Sequence, residues 1–152
     1  MKTVARISYA SIVTALVSTI PLGATAEPDW QQVAEADSKT VFVNLNSLKR
    51  SGNIVQATVK ENYVEPQPSA KKDKTFLSAR NVYRFDCSGA RVAYKEMHAF
   101  PLTDLQGKEI QKAEYRDKNL VWMDAPSGTV FEALLRYSCD KAPADSGAPA
   151  SN

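Results

Sequence analysis

The chain has 152 residues, 43% hydrophobic and 24% charged, which is the make-up of one globular domain. Those proportions exclude a disordered or fibrous chain, and no internal repeat is present. With 19 basic and 17 acidic side chains, the chain also lacks the strong positive excess that general nucleic-acid binding requires.

The N-terminus reads as an export signal over residues 1–26. Lys2 and Arg6 form a positive n-region, and Ile7 to Ile20 is apolar apart from Ser and Thr. Pro21, Gly23 and the small triplet Ala24-Thr25-Ala26 then form a cleavage site before Glu27. The alternative is an N-terminal anchor, but the apolar run falls short of the ~20 residues that span a bilayer. No cysteine lies near the cleavage point for lipid attachment, so no stable membrane anchor is expected. Cleavage removes two basic and no acidic side chains, leaving 17 of each sign. The mature chain is therefore neutral, and no nucleic-acid partner is expected.

In the mature chain, residues 40–45 (TVFVNL) form a β-branched run that predicts a strand. Ser51-Gly52-Asn53 is a turn signal. Beyond it Val55, Ala57, Val59 and Tyr63 alternate with Gln56, Thr58, Lys60 and Asn62, the period of a strand with one buried face. Residues 64–74 (VEPQPSAKKDK) are expected to be a flexible loop, because Pro66 and Pro68 remove backbone donors. A second alternation places Leu77, Ala79, Tyr83, Phe85 and Cys87 on one face and Ser78, Arg80, Arg84 and Asp86 on the other. Ser88-Gly89 turns the chain into a partner strand over 91–100. Gly107 marks another turn, and one or two weakly patterned strands are expected over 109–123.

One helix is predicted, over 128–140. Thr129 and Glu132 have capping-box spacing, and Phe131, Leu134, Leu135, Ser138 and Cys139 form a single apolar stripe. Residues 142–152 (APADSGAPASN) have nothing to bury and are expected to be a disordered tail. Cys87 lies on the apolar face of its strand and Cys139 on that of the helix, so each face is the natural cover of the other. Two cysteines in an exported chain are most simply one disulfide; two free buried thiols are the alternative.

Little enzymatic chemistry is available. His98 is the one histidine, a zinc site usually needs several His or Cys ligands, and no nucleophile elbow, phosphate-cradling loop, CxxC or EF-hand is present. Haem can use a single axial histidine, which keeps haem as the one cofactor to test, through His98. Asp86, Glu96, Glu114 and Asp124 show no catalytic spacing and are expected at the solvated surface. The aromatic residues, from Trp30 and Phe42 to Trp122, are expected to pack in the core. Lys71, Lys72 and Lys74, with Arg80 and Arg84 on the polar face of the next strand, could form a basic strip for an acidic partner surface; the alternative is an ordinary solvated loop and strand face.

In order, a signal peptide, Trp30, VFVNLNSLKRSGNIV, NYVEPQP, SARNVYRFDC ending at Cys87, a Trp122 strand and APSGTVFEALLRYSC ending at Cys139 resemble the surface-adhesin protein E-like family of Gram-negative bacteria. The resemblance covers about residues 30–140. It implies an α+β fold, a small antiparallel sheet of about six strands with a C-terminal helix tethered to one face by the disulfide. The domain is then residues 27–141. It also implies a non-enzymatic binding module with a protein partner. The family's prototype is a homodimer at the outer membrane that binds host matrix proteins such as vitronectin and laminin, and also plasminogen and haemin. Its vitronectin-binding stretch begins in a basic segment just before the Ser-x-Arg strand, at about the place of Lys74. The prototype carries a lipobox cysteine and this chain does not, which favours the periplasm over the cell surface or the medium. A periplasmic small-ligand or haem-binding protein, and an envelope-maintenance factor, are the rival expectations.

Overall fold

The computed structural model describes residues 28–145. The expected signal at 1–26 and residues 146–152 of the expected tail lie outside the described residues. An antiparallel sheet is built from β1 (Trp30–Ala36), β2 (Lys39–Asn44), β3 (Lys49–Ser51), β4 (Ile54–Pro68), β5 (Thr75–Asp86), β6 (Arg91–Phe100), β7 (Gln111–Glu114) and β8 (Trp122–Asp124). The path runs β1-β2-β4-β5-β6-β7, with β3 on β4 and β8 on β6. Both β2 and β3 lie along one side of β4, and both β7 and β8 along one side of β6. The expected six strands are thus six positions across the sheet, two of them broken into pairs.

The strand β1 escaped sequence patterning because it does not alternate. Its register against β2 shifts between Gln32 and Ala34, so Val33 and Ala34 interrupt the period of two. β4 runs five residues beyond the expected end at Tyr63, through both prolines. β2 pairs with β4 only as far as Tyr63, so that side of the strand is thereafter an open edge where proline is tolerated. A register shift between Asn62 and Gln67 then lets Gln67 and Pro68 pair with Phe76 and Thr75.

The helix α1 (Val130–Lys141) follows β8 and lies on one face of the sheet. Thr129 caps it, its Oγ1 accepting from the Glu132 N–H at 3.2 Å, while Glu132 Oε2 accepts from the Gly128 N–H at 2.7 Å. Leu134 and Leu135 enter a core of Val41, Val43, Val55, Ala57, Val59, Tyr83 and Phe85, a burial of apolar area that supplies most of the folding drive. The disulfide Cys87–Cys139 spans 52 residues and joins α1 to the end of β5, as the paired apolar faces required. Residues 142–145, expected at the head of a disordered tail, instead dock on the β3–β4 turn. Arg50 Nε donates to the Pro143 carbonyl at 3.2 Å, and Asp145 Oδ2 accepts from the Gly52 N–H at 2.7 Å. Among the described residues no helix is long and apolar enough to cross a membrane.

Candidate functional site

The β4–β5 hairpin ends in a turn over residues 69–74 that carries Lys71, Lys72 and Lys74, all exposed. This turn is pinned, contrary to the flexible loop expected from its composition. The Ser69 N–H donates to the Lys74 carbonyl at 2.9 Å and the Lys74 N–H to the Lys71 carbonyl at 3.2 Å. From β7, Gln111 Oε1 accepts from Ser69 Oγ at 2.8 Å and from the Ala70 N–H at 2.7 Å. None of the three lysines forms an ion pair among the described residues.

Arg80 and Arg84 share the face of β5 that looks away from α1, as the alternation predicted, but at different places along it. Arg80 stands in a cross-strand row of Phe42, Lys60, Arg80, His98 and Lys112, each directly opposite the next. Like charges so placed repel, and carboxylates from the β6–β7 connection relieve part of the repulsion. Lys60 Nζ lies 2.7 Å from Asp104 Oδ1 and 4.4 Å from the Phe42 ring centroid. The Lys60 contacts hold the Asp104 carboxyl below its ordinary value. Arg80 is the member of the row without a carboxylate within ion-pair distance among the described residues. Arg84 lies ten positions beyond Lys74, roughly 33 Å along an extended strand, and pairs with Asp117 at 3.1 Å. The structure therefore groups Arg80 with the outer-face row and leaves Arg84 near the opposite end of the hairpin from the lysines.

His98 is 6% exposed. Its Nδ1 lies 2.6 Å from Glu109 Oε2 and its Nε2 3.7 Å from Glu96 Oε2. The hydrogen bond with His98 holds the Glu109 carboxyl below its ordinary value. With a carboxylate facing each ring nitrogen and the ring buried, the side chain does not fit the role of an axial haem ligand. Asp86, expected at the solvated surface, is buried, with Arg91 Nη2 at 2.7 Å and the Gly89 N–H at 2.8 Å on its two oxygens. These donors hold its carboxyl at about 2. Trp30 and Phe42, expected in the core, instead flank the Lys60 ammonium on the outer face, their ring centroids 5.5 and 4.4 Å from Nζ, a cation–π arrangement.

The inner face holds a polar cluster that the sequence reading passed over. Glu61 is 0% exposed. One oxygen meets Lys39 Nζ at 3.0 Å and the Tyr63 hydroxyl, and the other accepts from the Tyr83 hydroxyl at 2.8 Å. Burial, then the Glu61 charge, pushes the Tyr63 and Tyr83 hydroxyls well up, so both remain donors. The signal was present in the alternation itself: residue 61 has the same parity as Val55, Ala57, Val59 and Tyr63. Nearby, Tyr94, Met97, Tyr115, Asn119, Val121 and Met123 line an open apolar pocket of about 350 Å³.

The fold has known relatives. The structure of Haemophilus influenzae protein E superposes with a TM-score of 0.53 at 10% identity, covering 73% of this chain and 83% of that one. A crystal structure of protein E from non-typeable Haemophilus influenzae gives a TM-score of 0.44 at 13% identity, covering 82% of this chain and 80% of that one. No match was found among curated proteins. The profile of the family Surface-adhesin protein E matches residues 30–140. That span runs from the first residue of β1 to the residue after the helix cysteine, across an architecture shared with protein E, and the chain belongs to the surface-adhesin protein E family.

Proposed function

We propose that this chain is an exported, non-enzymatic adhesin whose hairpin tip engages acidic surfaces of host matrix proteins such as vitronectin and laminin. Family membership supports an adhesin-type binding protein with protein partners. The observation that carries the finer reading is the tip itself, where Lys71, Lys72 and Lys74 are exposed and free of ion pairs among the described residues on a turn that Gln111 holds in place. A pinned turn presents its charges in one arrangement, which lowers the entropy lost on binding. Exposed lysines act mainly on association rate. A variant with all three changed to Glu should bind immobilised vitronectin and laminin with a slower association rate. Wild-type binding should itself weaken between low and physiological salt, where screening acts over about 8 Å. The thermal midpoint should barely move, since exposed substitutions shift stability by about 0.5 kcal/mol or less. Equal binding by the two proteins, or none by either, would remove the tip from the function.

A second reading rests on the pocket lined by Tyr94, Met97 and Met123. Its two tyrosines and two methionines would suit a small apolar ligand, as in a periplasmic carrier. Tyr94 and Tyr115 make the test optical. Titration with a fluorescent fatty-acid probe should quench tyrosine emission in wild type and not in Met97→Glu, and an unchanged response in that variant would exclude the pocket.

A further inference from the structure

We propose that the groove between β3, the start of β4 and the end of β5 is a second binding site, which takes carboxylate side chains of an acidic peptide segment from a protein partner. The groove has a volume of about 390 Å³ and is lined by Lys49, Arg50 and Arg84, with Ile54 and Pro143 as apolar walls and Ser51 and Gln56 beside them; among the described residues no carboxylate lines it. Arg50 donates from Nε to the Pro143 carbonyl at 3.2 Å and from Nη2 to the Cys139 carbonyl. Those partners are uncharged carbonyls, so the guanidinium is held in place with no carboxylate in ion-pair distance among the described residues. Arg84 Nη2 meets Asp117 at 3.1 Å, but Lys95 Nζ occupies the same carboxylate at 2.7 Å, so two cations share one anion. Among the described residues Arg84 Nε has no hydrogen-bond acceptor, so Asp117 does not use the full donor set of this guanidinium.

A carboxylate is the ligand these donors suit. Guanidinium and ammonium groups give it charge-assisted hydrogen bonds, and the chain already seats one carboxylate at this end of the sheet, that of Asp145 on the Gly52 N–H at 2.7 Å. The apolar walls and the amide of Gln56 favour a peptide over a free anion, because they would contact flanking side chains and backbone. This site lies at the opposite end of the β4–β5 hairpin from Lys71, Lys72 and Lys74 and does not depend on the role given to them.

The test uses the whole mature chain and fluorescence polarisation of a short fluorescein-labelled peptide alternating glutamate with leucine, beside its glutamine counterpart. The glutamate peptide should bind wild type. Affinity should fall about tenfold for the double variant Lys49→Gln, Arg84→Gln, and by a similar factor for the glutamine peptide, as loss of charge-assisted contacts requires. Binding should persist when Lys71, Lys72 and Lys74 are all changed to Glu, and amide NMR shifts should concentrate at Ser51 and Gln56. Full affinity in the double variant, loss in the triple lysine variant, equal affinity for the two peptides, or no binding by wild type would each overturn the proposal. Because Lys49 is exposed and Arg84 half-exposed, folding of the double variant is verified by its thermal midpoint.

Discussion

Cys139→Ala should lower the stability of the mature domain by about 2–5 kcal/mol and loosen α1 from the sheet. The helix has 12 residues, a length at which an isolated helix is marginal in water even with a good cap. It is held to the sheet by the buried Leu134 and Leu135, by Phe131 packed on Tyr83 and Tyr94, by the Arg50 hydrogen bond to the Cys139 carbonyl and by the bond to Cys87. The bond closes a separation of 52 residues, for which the chain-entropy account assigns about 4 kcal/mol. Urea unfolding of oxidised wild type and variant measures the difference, and hydrogen exchange of the α1 amides locates it. A variant within about 1 kcal/mol of wild type, with the helix equally protected, would show that the noncovalent contacts of α1 suffice and that the bond contributes less than the chain-entropy account assigns.

The second large effect is expected at the inner-face cluster. Lys39→Met should destabilise the fold by about 3–5 kcal/mol, because it strands a carboxylate that has no access to water. Glu61 is 0% exposed, and Lys39, whose side chain is 18% exposed, is its cationic partner at 3.0 Å. The tyrosine hydroxyls of Tyr63 and Tyr83 continue to donate to Glu61 in that variant but carry no charge to offset it. The double variant Lys39→Met, Glu61→Gln should recover most of the loss, since the amide oxygen still accepts from a hydroxyl while the charge is gone. Denaturant midpoints of the four proteins in this cycle decide the matter. If Lys39→Met alone lies within about 0.5 kcal/mol of wild type, the Glu61 charge is balanced by the tyrosines and their surroundings and the pair has no special role.

The strands around residues 55–63 and 77–87 were legible because each carries a period of two, and the strand over 91–100 because the Ser88-Gly89 turn leads into it, although its own pattern is broken by a bulge at Lys95. The helix was legible from one cap and one stripe. β1 was hidden by its bulge at Val33, and the continuation of β4 through Pro66 and Pro68 was hidden because proline's effect depends on whether a strand edge is free, which is a property of the neighbours. The exposure of Lys71, Lys72 and Lys74 was legible from their stretch of sequence, but which basic side chains lie near one another was not. Counting along the chain placed Arg84 with Lys71, Lys72 and Lys74, whereas an extended strand carries it away from them and toward Arg50, whose relevance no local pattern announces.

From its sequence alone this protein's α+β class and its helix on one sheet face were determined, with Cys87–Cys139 as the simplest pairing, because periodicity and apolar faces act over a few residues; the structure places the bond. Which charges remain available for binding was decided only by the tertiary structure. Asp104, Glu109 and Asp117 arrive on Lys60, His98 and Arg84 from segments 11 to 44 positions away, and the β7 residue Gln111 fixes the lysine turn from across the sheet. Coulomb attraction and hydrogen bonding depend on distance in space, and only the folded register of the strands sets those distances.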